Sequence, residues 1–427
     1  MITIKDSLGI EGESNLMTQF QEIAERRVVV AGHICLDIIP DLGGVITSAA
    51  DFLRPGKLMQ VGSAVLSTGG PVSNTGLALV TLGVPASLMG KVGDDCFGDL
   101  IVSLLQRRGA GEGMLAVPGE ASSYTVALSP PGLDRMFLHC PGANNTFRAS
   151  DIPYDVVAKA DLFHFGYPPL MSAIFAEDGR ELVEIFRRVK ATGTTTSLDM
   201  SMPDPDSSSG TVNWRRVLSD VLPYVDIFLP SVEETLFMLE RDRYDAYHSS
   251  CSHDMLSLVT GDDLSRLSSI LLNMGGRIVG LKCGERGFYL RTAGRTTLQS
   301  IGRARPGGDL GRWANREVWE PSFHVMNYAG ATGSGDSAIA GFLSAFLRGH
   351  KLESCLRYAC AVGAFNVTAP DALSGLKSWE ETIERVRAGW EKNPLEPASS
   401  GWWQDEAKMW HGPCDEPALG GGDHERR

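Results

Sequence analysis

The sequence predicts an α/β fold: a doubly wound, mostly parallel sheet flanked by helices, with a small β appendage. Three observations carry this expectation. Short β-branched runs alternate with helical patterns along most of the chain, and glycine-rich turns separate them. One stretch, residues 122–140, breaks the alternation with two β runs around Pro130-Pro131-Gly132-Leu133-Asp134 and reads as a hairpin.

Taken in order, residues 27–37 form a first buried strand that ends in small and polar residues, with Asp37 last. Residues 58–68 are extended, and Gly69-Gly70-Pro71 leads into a helix over 72–82. The cycle then repeats: strand 86–92, amphipathic helix 96–108, strand 162–165, helix 175–192, strands 194–199 and 227–229, a helix starting at 233, and strand 277–282. The hairpin, together with residues 58–68, supplies a small sheet beside the main one, where a lid belongs. Residues 292–322 mix Gly, Arg and Trp (Arg303, Arg305, Arg312, Trp313, Arg316, Trp319) without periodicity and read as a long loop before the 330–336 turn, whose arginines and tryptophans either pack the surface or contact ligand. Beyond Trp390 the chain turns Pro-, Gly- and charge-rich, which predicts a poorly ordered tail with Trp402, Trp403 and Trp410 available to dock.

The segment richest in chemistry is Gly330-Ala331-Thr332-Gly333-Ser334-Gly335-Asp336, followed by an apolar helix to Leu347. Unobstructed N–H groups at a helix start, reinforced by the helix dipole, attract an anion such as phosphate. A carboxylate in the same turn repels a resting phosphate, so Asp336 is either a simple helix cap or a base for an attacking hydroxyl.

Composition narrows the classes. The chain has 427 residues, 43% hydrophobic and 21% charged, and carries a formal charge of −13; with a pI near 5.2 it lacks the basic surface of a general nucleic-acid binder. Eight scattered cysteines without a Cys-x-x-Cys suggest neither a zinc cluster nor a disulfide framework and fit reduced thiols in the cytoplasm. No apolar run approaches the roughly 18 residues of a membrane span, so no membrane partner is expected.

In chain order, Asp37, Gly69-Gly70-x-x-x-Asn74, Leu82-Gly83, Gly93-Asp94-Asp95-x-Phe97-Gly98 and Gly333-Ser334-Gly335-Asp336 resemble the PfkB carbohydrate kinase family, also called ribokinase-like, over residues 27–390. The resemblance implies a three-layer α/β/α sandwich with lid segments at about 38–68 and 112–142, an N-terminal extension over 1–26 and a tail over 391–427. It implies ATP and Mg2+ as cofactors and a sugar as acceptor. Carried over by position, it makes Asp336 the general base and Gly333, Ser334 and Gly335 the anion hole. Asp37, Gly69, Gly70 and Asn74 become the acceptor site. Lys282, Gly284, Gly287, Cys360 and Asn366 become the nucleotide site, and Glu234 organises the metal through water. Two departures stand out: Ser231 replaces the asparagine of the family's Asn-x-x-Glu motif, and Gly330-Ala331 replaces an Asp-Thr that contributes to a monovalent-cation site in many members.

Other candidates are weaker. Cys251-Ser252-His253-Asp254 packs its ligand types too closely, with no distant partner, to close a tetrahedral site and reads as a polar loop. His33 and His164 sit at strand ends as core or cleft histidines, and Asp94 and Asp95 either shape a substrate mouth or cap the next helix. The expected activity is therefore sugar phosphorylation. A nucleoside kinase using Phe137 as an apolar wall, or a silent sugar-binding homologue, is the alternative, and an exposed lid edge favours a homodimer.

Overall fold

The computed structural model describes residue 23 and residues 26–43, 56, 58–129, 136–251 and 254–415. In chain order these include Val28–Gly32 (β1), Cys35–Pro40 (β2), Ala64–Gly69 (β3), Pro71–Thr81 (α1), Ala86–Gly93 (β4), Cys96–Gln106 (α2), Gly113–Val117 (β5), Tyr124–Leu128 (β6) and Met136–Cys140 (β7). Leu162–Gly166 (β8), Ser172–Ala191 (α3), Thr195–Leu198 (β9), Ile227–Phe228 (β10), Val232–Leu239 (α4), Ile278–Lys282 (β11) and Phe288–Thr292 (β12) follow. The last are Glu317–Glu320 (β13), Ser334–Leu347 (α5), Leu352–Asn366 (α6), Trp403–Gln404 (β14) and Trp410–His411 (β15), with smaller or more peripheral helices between.

Alternation along β1 explains the layering. Val28 and Val30 join one hydrophobic cluster with α1, α5 and α6, while Val29 and Ala31 join a second cluster with α3 and α4, because successive strand side chains point to opposite faces. A strand apolar on both faces belongs inside a parallel sheet covered by helices. The main sheet has 11 strands in the order β14-β15-β13-β12-β11-β10-β9-β8-β1-β4-β5. Every pair from β11 to β5 is parallel, and every pair from β11 outward to β14 is antiparallel. A separate 4-stranded sheet, β3-β2-β6-β7, forms the lid.

Four expectations change. The predicted first strand is broken after Gly32, whose φ of 123° and close approach to Gly166 turn the chain away. Asp37 therefore lies on lid strand β2 rather than at the end of β1. The lid correspondingly starts at Cys35, and residues 113–117 leave it to pair with β4. The predicted helix over 175–192 begins earlier and is interrupted at residues 176–179, where Ala176 is extended, Glu177, Asp178 and Gly179 are left-handed, and Gly179 lies against Val217. Residues 292–322 are not simply a loop, since they contain β13, and Trp313 and Trp319 are core residues.

The fourth change concerns the tail. Residues 391–415 are docked: β15 pairs with β13, the Trp410 indole donates to the Leu395 carbonyl at 3.0 Å, and Trp402 packs against Trp319 and Tyr289. The physical reason is that β13 would otherwise present an uncovered sheet edge. Arg316 locks the arrangement, with its guanidinium 4% exposed and paired to Asp415 at 2.7 Å and Glu353 at 2.8 Å. At the other end Ile23 is buried in the core, while most of the N-terminal extension, the hairpin turn at 130–135 and residues 252–253 lie outside the described residues.

Asp415→Ala is expected to destabilise the protein by about 3 kcal/mol, because it removes one counter-ion of a buried guanidinium. Urea unfolding measures it; a loosely attached tail would leave the midpoint unchanged.

Candidate active site

The turn before α5 fixes Asp336. Gly333 caps the helix in the left-handed region (φ 72°), where a Cβ would stand 2.5 Å from the Ala372 Cβ. The Ser334 N–H is used in a bond to the Ala331 carbonyl at 3.1 Å, leaving Gly335 and Asp336 with the first-turn N–H groups that have no intrahelical partner. Asp336 is 1% exposed. Its Oδ2 accepts from Asn74 Nδ2 at 3.0 Å and from the Tyr167 hydroxyl at 2.9 Å, and its Oδ1 accepts from the Thr75 hydroxyl at 3.1 Å. Burial pushes this carboxyl above the ordinary aspartate value, and the donors and Lys282 pull against that rise.

Asp37 stands on β2 of the small sheet. Its Oδ1 accepts from Cys35 Sγ at 3.4 Å, and burial raises its pKa to about 6. Gly69 and Gly70 are required by close approach: a Cβ on Gly69 would sit 2.2 Å from Asp37 Oδ2, and one on Gly70 (φ 83°) 2.6 Å from His33 Nδ1. His33 and His139 meet through their Nε2 atoms at 3.4 Å, and the Thr125 hydroxyl joins His139 Nδ1 at 2.9 Å. Burial lowers both imidazole pKa values, that of His33 to about 3.

On the other side of Asp336 stands Lys282. Its Nζ pairs with Asp199 Oδ1 at 2.6 Å and lies 3.5 Å from where a Gly335 Cβ would be. Burial pulls the ammonium down, but Asp199 and Glu234 more than offset that and leave its pKa raised. Asp199 and Glu234 are themselves raised by burial, against the pull of Lys282. Asp199 Oδ2 is buried without a hydrogen-bond partner. Glu234 forms a capping box with Ser231, each side chain accepting the other's backbone N–H at 2.7 and 3.1 Å. A cavity of about 560 Å³ runs from Lys282 and Gly335 past Gly284, Gly287 and Cys360 to Val325, Tyr328 and Val367.

A family model described as pfkB family carbohydrate kinase matches residues 25–379. The chain belongs to this family. Fructokinase-2 of Oryza sativa subsp. japonica is 25% identical over 366 residues, covering 83% of this chain and 92% of its own. Among solved structures, a fructokinase with bound ATP from Xylella fastidiosa aligns with TM-score 0.62 and 18% identity, covering 85% of this chain and 99% of its own. Arabidopsis thaliana ribokinase complexed with ribose and ATP aligns at 0.60 and 17%, covering 84% and 98%.

In this pfkB kinase the fold brings most of the residues singled out by sequence into one continuous region. Asn74 donates to Asp336 and keeps a buried, unpartnered Oδ1. Asn366 is outside the cavity: its amide donates to the Ala372 carbonyl at 2.7 Å and holds the loop behind Gly333. Asp95 caps α2 by accepting from Gly98 N–H at 2.8 Å, and Asp94 accepts from Gly119 N–H at 3.0 Å, so the capping reading holds for Asp95. His164 is a core histidine bonded to Ser197. Sequence reasoning missed Thr75, Tyr167, Asp199, Thr125 and His139. Two left a trace, since Tyr167 comes just after one predicted strand and Asp199 ends another, at the C-terminal ends where α/β sheets place ligands.

A buried Asp37 makes a stability prediction. Between about pH 4 and 6 the unfolded chain ionises this group while the folded chain keeps its proton, so wild-type stability falls as pH rises through that window. Asp37→Asn is therefore expected to melt higher than wild type at pH 7 and alike near pH 4, as read by thermal unfolding against pH.

Proposed function

We propose that this pfkB kinase transfers the terminal phosphoryl group of Mg-ATP to a sugar hydroxyl, with Asp336 as general base and the Gly333–Gly335 turn as the anion hole. One observation carries the reading: a buried carboxylate with three fixed donors sits in the first turn of an open helix start, between the lid and the cavity.

The donor pattern selects the reacting atom. A carboxylate oxygen accepts about two hydrogen bonds, and Oδ2 already has both, from Asn74 and Tyr167. Oδ1 has only Thr75 and keeps a lone pair for the acceptor hydroxyl. Asp37 and the Asn74 Oδ1 offer acceptors to neighbouring hydroxyls, orienting the attacking one. Positioned proton removal is worth about 10² to 10⁴ in rate.

The cavity residues fit a nucleotide. Phe288, Val325, Tyr328 and Val367 would hold the base; Gly284 and Gly287 keep side chains off the path; Lys282 and the Gly335 N–H would receive the terminal phosphate oxygens. Asp199, Glu234 and Asp336 outnumber the single ammonium of Lys282, an imbalance suited to a divalent cation. No cluster of three side-chain ligands exists among the described residues, so Glu234 would hold Mg2+ through water, as that ion prefers. When bound there, Mg-nucleotide would supply the phosphoryl group and its metal would help offset the developing charge. The Ser231 capping box fixes Glu234 in place of the family's asparagine, and lid closure excludes water as a competing acceptor.

Asp336→Asn is expected to lower kcat by about 10² to 10⁴ with nucleotide binding retained; activity within a few-fold of wild type refutes the assignment. Tyr167→Phe removes a donor that favours the ionised carboxylate. The acid limb of the kcat/KM profile then moves to higher pH, whereas a purely structural Tyr167 leaves it in place.

A further inference from the structure

We infer that the acceptor is an uncharged polyhydroxy compound, carrying neither phosphate nor carboxylate. The inference rests on the kinase reading above and narrows it. Strand register places Ser67, Asp37, Thr125 and His139 opposite one another across the lid sheet, so they share one face. That face is turned to the body, because His139 meets His33, whose ring centroid lies 6.3 Å from that of Tyr167, a donor to Asp336.

Two residues farther out on the same face the row becomes apolar. Ile39 pairs with Val65, and Ala127 with Phe137, about 6.7 Å beyond the Asp37 row. Val65 and Phe137 are both 57% exposed, turned to where the far end of an acceptor would lie.

Neither row contains a cation, and among the described residues the opposite wall of His33, Asn74, Tyr167 and Asp336 contains none. Buried imidazoles with lowered pKa values stay neutral near pH 7 and lend no positive charge. The ammonium nearest Asp336 is Lys282, which stands beside Gly335 and is held by Asp199. Among the described residues, an anionic acceptor would thus lie between the Asp37 and Asp336 carboxylates with no cation to offset its charge, and leave an apolar row around its phosphate or carboxylate. A neutral sugar instead offers hydroxyl donors to both carboxylates and C–H surface to Ile39 and Phe137.

Calorimetric binding to the full-length protein tests this with matched pairs: fructose and fructose 6-phosphate, ribose and ribose 5-phosphate, glucose and gluconate, adenosine and AMP. The neutral member of a binding pair is expected to bind at least about 100-fold tighter. A charged member binding as tightly as its neutral partner, or no neutral member binding at all, overturns the inference. His139→Arg, checked for intact folding by circular dichroism, sets a guanidinium in the Asp37 row and is expected to shrink the discrimination; an unchanged ratio overturns its electrostatic basis. Failure of the kinase reading looks different: neutral compounds bind and no ATP is consumed.

Discussion

The site is organised by the hydrogen bonds that converge on one buried carboxylate. Asp336 on α5 is tied to Asn74 and Thr75 on α1 and to Tyr167 after β8, elements distant in sequence. A buried ionised group without partners is costly, so the donors are a condition for keeping the charge where it is. They also lock three pieces of backbone together. Tyr167 pays part of that cost locally, since it holds a left-handed φ of 64° that a tyrosine rarely adopts.

Charge divides the region into unlike halves. On the Lys282 side, carboxylates surround one ammonium beside free N–H groups, an arrangement suited to the proposed phosphate oxygens and divalent ion. On the lid side, Asp37 faces neutral imidazoles and hydroxyls. The proposed reaction moves an anion from the first half toward a hydroxyl in the second, and Asp336 stands on the boundary. This placement explains how one carboxylate can sit beside the proposed phosphate-binding turn: Lys282 and the N–H groups of Gly335 and Asp336 would counter its repulsion on one side, while Oδ1 faces the other.

What the sequence disclosed and what it concealed follow from range. The turn at 330–336, the glycines at 69–70 and the strand-turn at 282–287 encode their geometry in neighbouring residues, and the alternation of strands and helices encodes the doubly wound sheet; these were legible. Tyr167, Thr75, Asp199 and His139 matter only through partners far along the chain, and local pattern carries no such pairing. The tail misled for a related reason. Its Pro and Gly content describes a segment without its own core, yet it needs none, because β13 supplies an edge and Trp319 and Tyr289 supply a surface for Trp402.

The docked tail also bears on the cavity. Lys392 pairs with the buried Glu320 at 2.7 Å, and Asn393 donates to the Ser322 hydroxyl at 2.8 Å while its Oδ1 meets His324 at 3.2 Å. Ser322, Phe323, His324 and Asn393 line the cavity. The segment beyond the family match is thus a wall of the proposed nucleotide site, anchored at its far end by Arg316 and Asp415. Packing that covers a sheet edge at one end shapes the cavity wall at the other, so the stability of this edge and the form of the cavity depend on the same segment.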